Sequence, residues 1–184
     1  MYWLALRALP AAVRRCYHRR MTTSPQPLAE EHAAFVGGAV SVIAASRDER
    51  NVPSIGRATG CAVATDRRTV TVFIPQSQAP HLVADLRACG QVAVVFTQPS
   101  TNRSLQLKGT DARLRPLTPD EAGGIARYVE AFGREIRPLG HSMDEARTIF
   151  RCVDGDLVAV EFTPTSAFVQ TPGPGAGAAI GVSA

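Results

Sequence analysis

The sequence predicts a mainly β, α+β protein: an antiparallel barrel of six or seven short strands with a few flanking helices. Two observations lead to this fold class. Short runs of alternating apolar residues are joined by short polar turns, which favours antiparallel pairing of neighbouring strands. The regular strand–helix alternation of a parallel sheet is missing, and so is a GxGxxG motif. A Rossmann fold and a P-loop nucleotide-binding fold are therefore poor fits.

The predicted strands follow from this alternation. In 69–74, valine and isoleucine alternate with threonine and phenylalanine, which is a clear strand signal. Further strands are predicted at 39–45, 54–65, 92–97, 103–113, 157–162 and 166–170. Eight aliphatic side chains are expected to fill the barrel interior: Val40, Val42, Val70, Val72, Val92, Val94, Leu105 and Leu107.

Helices are predicted where the spacing of apolar residues changes. The first spans 28–36 and is ended by two glycines. The second begins at Pro80, which suits a first helical position, and is closed by Gly90. Two more begin at capping boxes, in which a hydroxyl and a carboxylate satisfy free main-chain N–H groups. These boxes are Thr118-Pro119-Asp120-Glu121 and Ser142-Met143-Asp144-Glu145.

Composition divides the chain into a leader, one domain and a tail. The first twenty residues contain five arginines and no acid, which leaves 15 basic against 16 acidic residues in the rest. The basic balance therefore belongs to the leader, and no nucleic-acid-binding surface is expected. We expect residues 1–25 to be disordered, either as a targeting presequence or as sequence before a natural start at Met21. Residues 26–170 form the predicted domain, and the Gly-, Pro- and Ala-rich residues 171–184 an irregular tail.

Two further observations concern the environment of the protein. No stretch reaches the roughly 18 continuous apolar residues of a spanning helix, so a soluble protein that does not bind membranes is expected. The four cysteines form no CxxC pair and have neither zinc-site nor disulfide spacing. The sequence thus predicts a reduced, cytoplasmic setting and no metal site.

A polar row on one strand is the first candidate site. No GxSxG or HExxH motif is present, and the sequence identifies no catalytic acid or base. In the strand from Arg103, the side chains of Ser104, Gln106 and Lys108 share one face, and that face meets either water or a polar ligand. Lys108 is the only lysine in the chain, whose other basic residues are all arginine.

The junction between a strand and a helix at 74–81 is the second candidate. The start of a helix carries free N–H groups and partial positive charge, which suits a phosphate. Ser77 could donate a hydroxyl hydrogen bond to it, and Arg57 could pair with it from a neighbouring strand. The structural alternative is a helix cap beside a surface arginine.

Four segments carry a family resemblance. They are 53–60 (PSIGRATG), 72–77 (VFIPQS), 92–96 (VAVVF) and 102–109 (NRSLQLKG). Together they resemble the FMN-binding split barrel of the pyridoxamine 5'-phosphate oxidase-like proteins, over residues 35–170. The resemblance implies a split barrel that binds FMN across the interface of a homodimer.

The resemblance also implies a set of cofactor-binding residues: Arg57, Ile74, Pro75, Ser77, Gln78 and Ser104, with Gln106 and Lys108 as further candidates on the same face. Two departures are visible. The family often places lysine or arginine just after the serine, where this chain has Gln78, Ala79 and Pro80. The family's C-terminal tryptophan and arginine are missing, so oxidation of pyridoxamine phosphate itself is not expected.

The sequence leaves three functions open. An FMN-dependent oxidoreductase with an unidentified small-molecule substrate is the leading hypothesis, because the flavin carries the redox chemistry. A haem-binding or haem-degrading split barrel is the second, with His141 or His81 as the iron ligand. A non-catalytic flavin-binding scaffold is the third. The homodimer is also expected on physical grounds, because a filled barrel leaves a flavin outside, where a second copy would shield it from water.

Overall fold

A computed structural model of the protein describes residues 26–181. The predicted disordered leader, residues 1–25, lies outside this range. The described part contains ten strands: β1 (Ser41–Arg47), β2 (Pro53–Ala58), β3 (Cys61–Val63), β4 (Val70–Pro75), β5 (Val92–Thr97), β6 (Ser104–Gly109), β7 (Arg113–Arg115), β8 (Leu157–Phe162), β9 (Ser166–Val169) and β10 (Ala179–Ile180). It also contains four α-helices: α1 (Glu30–Val36), α2 (Pro80–Cys89), α3 (Pro119–Ile136) and α4 (Met143–Ile149).

The strands form two antiparallel sheets. The larger sheet has six strands in the order β10-β9-β6-β5-β1-β2, and the smaller has four in the order β3-β4-β8-β7. Every pair is antiparallel, as the short turns predict. The mainly β fold class with flanking helices is confirmed.

One apolar core fills the space between the two sheets. All eight aliphatic residues expected inside the barrel are buried, and Val42, Val94 and Leu107 are completely so. Helix α2 closes this core: Leu82, Val83 and Leu86 are buried in it, while Gly90 ends the helix with a φ of 63°. Side chains therefore fill the barrel and leave no room in it for a ligand the size of a flavin.

Three strand boundaries differ from the sequence prediction. The predicted strand 54–65 is two strands, because the chain turns at Gly60, where φ is 140°. The predicted strand 103–113 also divides, because the chain leaves one sheet after β6 and enters the other at β7. The tail is not wholly irregular, since β10 pairs with β9. These divisions and additions give ten strands instead of six or seven.

Helices α3 and α4 form a helical pair with a small core of its own. Phe132, Ile136, Ala146 and Phe150 are buried together, and the two phenylalanine rings meet edge to face with centroids 4.9 Å apart. Both predicted capping boxes are present, at Thr118 with Glu121 and at Ser142 with Glu145. No helix within residues 26–181 is long and apolar enough to cross a membrane.

Candidate functional site

The outer face of the six-stranded sheet carries several of the predicted site residues. Antiparallel pairing places Arg57, Ile43, Val95, Gln106 and Phe168 opposite one another in a single row across five strands. A second row contains Ile55, Ala45, Ala93, Lys108 and Ser166. We call these two rows the outer sheet face.

In the first row of the outer sheet face, two apolar residues lie between Arg57 and Gln106. The side chains of Ile43, Val95 and Phe168 are partly exposed, whereas the alternate residues of the same strands belong to the core. Arg57 and Gln106 stand three strands apart, about 14 Å at the usual spacing of about 4.8 Å. The row thus presents a flat apolar surface between a cation and an amide.

Arg57 is exposed and has hydrogen-bonding capacity to spare. One guanidinium nitrogen donates to Ser41 Oγ at 2.9 Å. A guanidinium has five N–H donors, and Arg57 pairs with no carboxylate in the part of the chain that the structure describes. Arg57 is therefore available to an anion arriving at this face.

The polar row of β6 contains one buried residue, Ser104, and two residues that face outward, Gln106 and Lys108. Ser104 is buried, and its hydroxyl donates to the main-chain oxygen of Asn102 at 3.0 Å and lies 2.9 Å from Thr97 Oγ1. Lys108 places Nζ 5.1 Å from the ring centre of Phe168. Gln106 accepts a long hydrogen bond of 3.5 Å from Gln170. Ser104 thus holds the β5–β6 turn, while Gln106 and Lys108 face outward.

Ile74 and Pro75 lie at the end of β4 and are buried. Ile74 pairs with Val158, and Pro75 pairs with Leu157. Their side chains are part of the protein interior, so only main-chain atoms of this strand end could contact a cofactor.

Ser77 and Gln78 do not offer the free donors that the sequence predicts for a phosphate. The main-chain N–H of Ser77 donates to Asp156 Oδ1 at 2.9 Å, and its hydroxyl donates to Oδ2 at 2.7 Å. Gln78 Nε2 donates to the main-chain oxygen of Arg151 at 2.8 Å. A phosphate at Ser77 would have to displace the carboxylate of Asp156, which is also negatively charged. Here both residues tie the start of α2 to the segment before β8.

The two histidines considered as iron ligands lie in different places. His81, in the first turn of α2, is exposed and lines a cavity of about 450 Å³ together with Val52 and Ile55. His141 is on the helical pair, with Nδ1 3.6 Å from a carboxylate oxygen of Glu145. The described residues hold no group of three or more metal-ligating side chains.

A cavity of about 500 Å³ between α3 and the barrel is a site that the sequence did not indicate. Gly60 and Cys61 line one wall, and Gly124 and Tyr128 line the other. Tyr128 crosses the gap, since its hydroxyl donates to the main-chain oxygen of Val40 at 2.6 Å. The two adjacent glycines of α3, Gly123 and Gly124, are the sequence signal that could have suggested it.

Burial controls the pKa of two side chains that line this cavity, Cys61 and Tyr128. It raises the pKa of the Cys61 thiol far above the usual range, and it also raises the pKa of the Tyr128 hydroxyl. Both groups therefore stay protonated at neutral pH. Cys61 is not a reactive thiolate, and the walls of the cavity carry no charge from these two residues.

The six- and four-stranded antiparallel sheets around one core, with helices at the periphery, define a split-barrel fold. Comparison of sequences finds neither a matching family model nor a similar curated protein. Comparison of structures finds HupZ of Group A Streptococcus, with 14% identity over 82% of this chain and 98% of that chain and a TM-score of 0.50.

Two other solved structures are similar at lower TM-scores. A proposed pyridoxamine 5'-phosphate oxidase of Lactobacillus delbrueckii has 13% identity over 79% of this chain and 97% of that chain, with a TM-score of 0.47. HutZ, the heme storage protein of Vibrio cholerae, has 14% identity over 78% of this chain and 94% of that chain, with a TM-score of 0.43. At these identities the likeness concerns the fold alone. The resemblance to the pyridoxamine 5'-phosphate oxidase-like split barrel is confirmed at that level.

Proposed function

We propose that the protein is an FMN-binding flavoprotein, an FMN-dependent oxidoreductase acting on a small molecule as a homodimer. One observation carries the proposal: an exposed arginine, Arg57, and an outward amide, Gln106, stand at the two sides of a flat apolar row. A ligand with a phosphate at one end and an aromatic ring system at the other matches this arrangement.

Arg57 is the residue that fits the phosphate of FMN. Its guanidinium is exposed and, among residues 26–181, makes one hydrogen bond, to Ser41, so two further N–H groups can form a bidentate contact. Ser77 does not fit in its present conformation, because Asp156 accepts from both of its donors. The proposal therefore assigns the phosphate to Arg57 and leaves Ser77 a structural role.

The apolar middle of the outer sheet face fits a flat ring. Ile43 and Val95 provide a partly exposed aliphatic surface on which an aromatic ring can pack. Gln106 can donate or accept at the polar edge of such a ring. When bound, FMN supplies the redox chemistry, whereas the chain orients the ring and limits its contact with water. No side chain of the outer sheet face is assigned as an acid or base.

A second copy of the chain is the proposed cover for this face. The core of the barrel is filled, so a ring on the outer sheet face has protein on one side only. A two-fold dimer would supply the second wall for both copies by symmetry. The partly exposed Ile43, Val95 and Phe168 support this, because burying them at an interface would also be favourable.

Haem binding is the second candidate, and His81 is the observation that favours it. This histidine is exposed beside a cavity of about 450 Å³ that contains two well-exposed apolar side chains, Val52 and Ile55. An imidazole next to an apolar surface is a suitable environment for a haem iron and its macrocycle.

An absorption spectrum of the purified protein tests these candidates together. FMN gives bands in the blue and near ultraviolet, haem gives a Soret band, and a colourless protein calls for titration with each. We expect FMN to bind more tightly than riboflavin, with one FMN per chain and a dimer by sedimentation. Equal affinity for FMN and riboflavin would remove the phosphate site. A monomer that binds FMN at full affinity would remove the shared site.

A further inference from the structure

The second row of the outer sheet face contains a depression, which we call the alanine depression. Ala45 and Ala93 lie directly opposite each other on β1 and β5, and their small side chains leave a space of about 370 Å³. This volume is within the range of about 300–1,000 Å³ typical of small-molecule sites. Arg57 and Gln106, which are assigned to FMN, do not line it. The inference below rests on neither FMN nor a second copy of the chain.

Two cationic side chains border the alanine depression. Arg47 follows Ala45 by two residues on β1, and Lys108 lies directly opposite Ala93 on β6. Both side chains line the depression. With a strand spacing of about 4.8 Å and a rise of about 3.4 Å per residue, their Cα atoms are about 12 Å apart. The alanines therefore form an apolar floor between two positive charges.

Hydrogen bonds within the protein hold the Arg47 guanidinium and leave part of it unused. Its Nε donates to the side-chain oxygen of Gln91 at 3.2 Å, and its Nη1 donates to the main-chain oxygen of Asp48 at 3.0 Å. Among residues 26–181, Nη2 has no partner and no carboxylate pairs with Arg47. An anion would thus meet a guanidinium that is already oriented, which lowers the entropy cost of binding.

The Lys108 ammonium also has no acidic partner in the described part of the chain. Its Nζ lies 5.1 Å from the ring centre of Phe168. The carboxylates nearest in sequence to the alanine depression are engaged elsewhere, because Asp48 accepts two main-chain hydrogen bonds in the β1–β2 turn and Asp111 accepts one from Thr163. Of the side chains between 26 and 181, no acidic one lines the depression, so its two positive charges are not compensated.

We propose that the alanine depression binds a small aliphatic dicarboxylate. One carboxylate pairs with Arg47 and the other with Lys108, and both contacts are charge-assisted hydrogen bonds. The aliphatic chain between the carboxylates lies on the two alanines. The hydroxyls of Thr110 and Ser166, which also line the depression, supply further donors. A ligand with a single anionic group would leave one of the two cations without a partner.

Calorimetric titration of the purified full-length protein with adipate is the test. Hexanoate has the same chain length and one carboxylate, and it should bind at least about tenfold more weakly than adipate. Adipate binding should weaken as sodium chloride is added, because salt screens exposed charges. Absence of adipate binding, or equal affinities for adipate and hexanoate, would overturn the proposal.

A titration in excess FMN separates the alanine depression from the flavin site. Adipate should bind with the same affinity whether FMN is present or absent. Displacement of adipate by FMN, one for one, would overturn the proposal, because the depression would then be part of the flavin site. Failure of the protein to bind FMN would refute the proposed function and leave adipate binding unchanged.

Two exposed cations provide matched variants. Lys108 lines the alanine depression, whereas Arg87 lies on α2 and does not. Lys108→Gln should weaken adipate binding by about tenfold or more, because one carboxylate loses its partner. Arg87→Gln removes the same amount of charge and should bind adipate like the parent protein. An equal loss in both variants would show a general effect of net charge and would overturn the proposal.

A space-filling variant tests the floor of the depression independently of charge. Ala93 is partly exposed, so Ala93→Leu adds its larger side chain on the outer face and should weaken adipate binding in the same way. Thermal melts followed by circular dichroism identify the variants that are folded. If folded Lys108→Gln and Ala93→Leu both bind adipate as tightly as Arg87→Gln, the dicarboxylate lies elsewhere and the proposal is wrong.

Discussion

The ion pair at the start of α3 allows a quantitative test of what attaches the helical pair to the barrel. Glu121 closes the capping box of α3 and also accepts two hydrogen bonds of 2.8 Å from Arg115 on β7. Arg115 in turn contacts Glu161 on β8 at 3.1 Å. Glu121→Gln keeps an oxygen that can accept from Thr118 while it removes the charge that pairs with Arg115.

The magnitude follows from the pKa of Glu121. Hydrogen bonds from Arg115, the largest cause, together with those from Thr118 lower that pKa from 4.5 to about 2, against a smaller opposing effect of burial. At about 1.4 kcal/mol per pH unit this difference corresponds to about 3.5 kcal/mol. Arg115 is one-third exposed, so solvent screening reduces the contribution, and we expect Glu121→Gln to cost about 1.5–2 kcal/mol at pH 7.

Urea unfolding at a series of pH values is the assay. Because the folded-state pKa is lowered, the carboxylate stabilises the protein above pH 4.5, and this contribution is lost as the pH falls through about 2. The free energies of unfolding of the parent and of Glu121→Gln should therefore differ at pH 7 and converge between pH 4.5 and 2. A difference that stays the same at pH 7 and pH 3 would refute the electrostatic reasoning.

The second capping box provides the control. Glu145 caps α4 in the same way, and hydrogen bonds from Ser142 lower its pKa. No arginine between residues 26 and 181 pairs with it, and its carboxylate lies 3.6 Å from Nδ1 of the exposed His141. Glu145→Gln should therefore cost clearly less than Glu121→Gln at neutral pH, although both variants change the same motif.

Three further predictions concern single side chains. Arg57→Ala should weaken FMN binding by about 30-fold, about 2 kcal/mol, and leave riboflavin binding unchanged; an equal loss for both ligands would show that Arg57 does not contact the phosphate. Asp156→Asn should cost about 1 kcal/mol in urea unfolding, because it weakens the bonds to Ser77, and should not change FMN affinity; a tighter complex would instead place the phosphate at Ser77. Gly109→Ala should cost about 1–3 kcal/mol, because its methyl group would lie 2.7 Å from a phenylalanine carbon and 2.9 Å from a main-chain oxygen. Gly175→Ala, where nothing lies within 4 Å, should be neutral, and a similar loss in both variants would contradict the packing argument.

Local signals in the sequence were sufficient for most of the elements. The alternation of residues that predicts β4 and β5 is contained within each strand. Each capping box, at Thr118 and at Ser142, is contained within four consecutive residues. The division of 54–65 could not be placed in the same way. It depends on the backbone at Gly60, whose φ of 140° would strain a residue with a side chain, and the alternation of apolar residues does not report that angle.

The candidate site was harder to predict because its state depends on residues far apart in the chain. Ser77 reads as a free donor beside a helix start, yet the residue that accepts from it, Asp156, is 79 positions away. Ser104 reads as part of a polar face, yet the β5–β6 turn buries it. Arg57 and Lys108 occupy strand positions that the alternation of apolar residues assigns to the outer face. Both are exposed in the structure.

The helical pair has an apolar core separate from that of the barrel, so the two can act as separate units in local unfolding. Phe132 and Phe150 bury each other and do not belong to the core of the barrel. Tyr128 and Glu121 connect the helical pair to the barrel through their hydrogen bonds with Val40 and Arg115. Such a unit can open while the sheets keep their amide protons protected from exchange. A molecule held between the units would bind only the closed form and would shift that local equilibrium toward it. A molecule bound in the cavity would then slow amide exchange in α3 and leave amide exchange in the barrel unchanged.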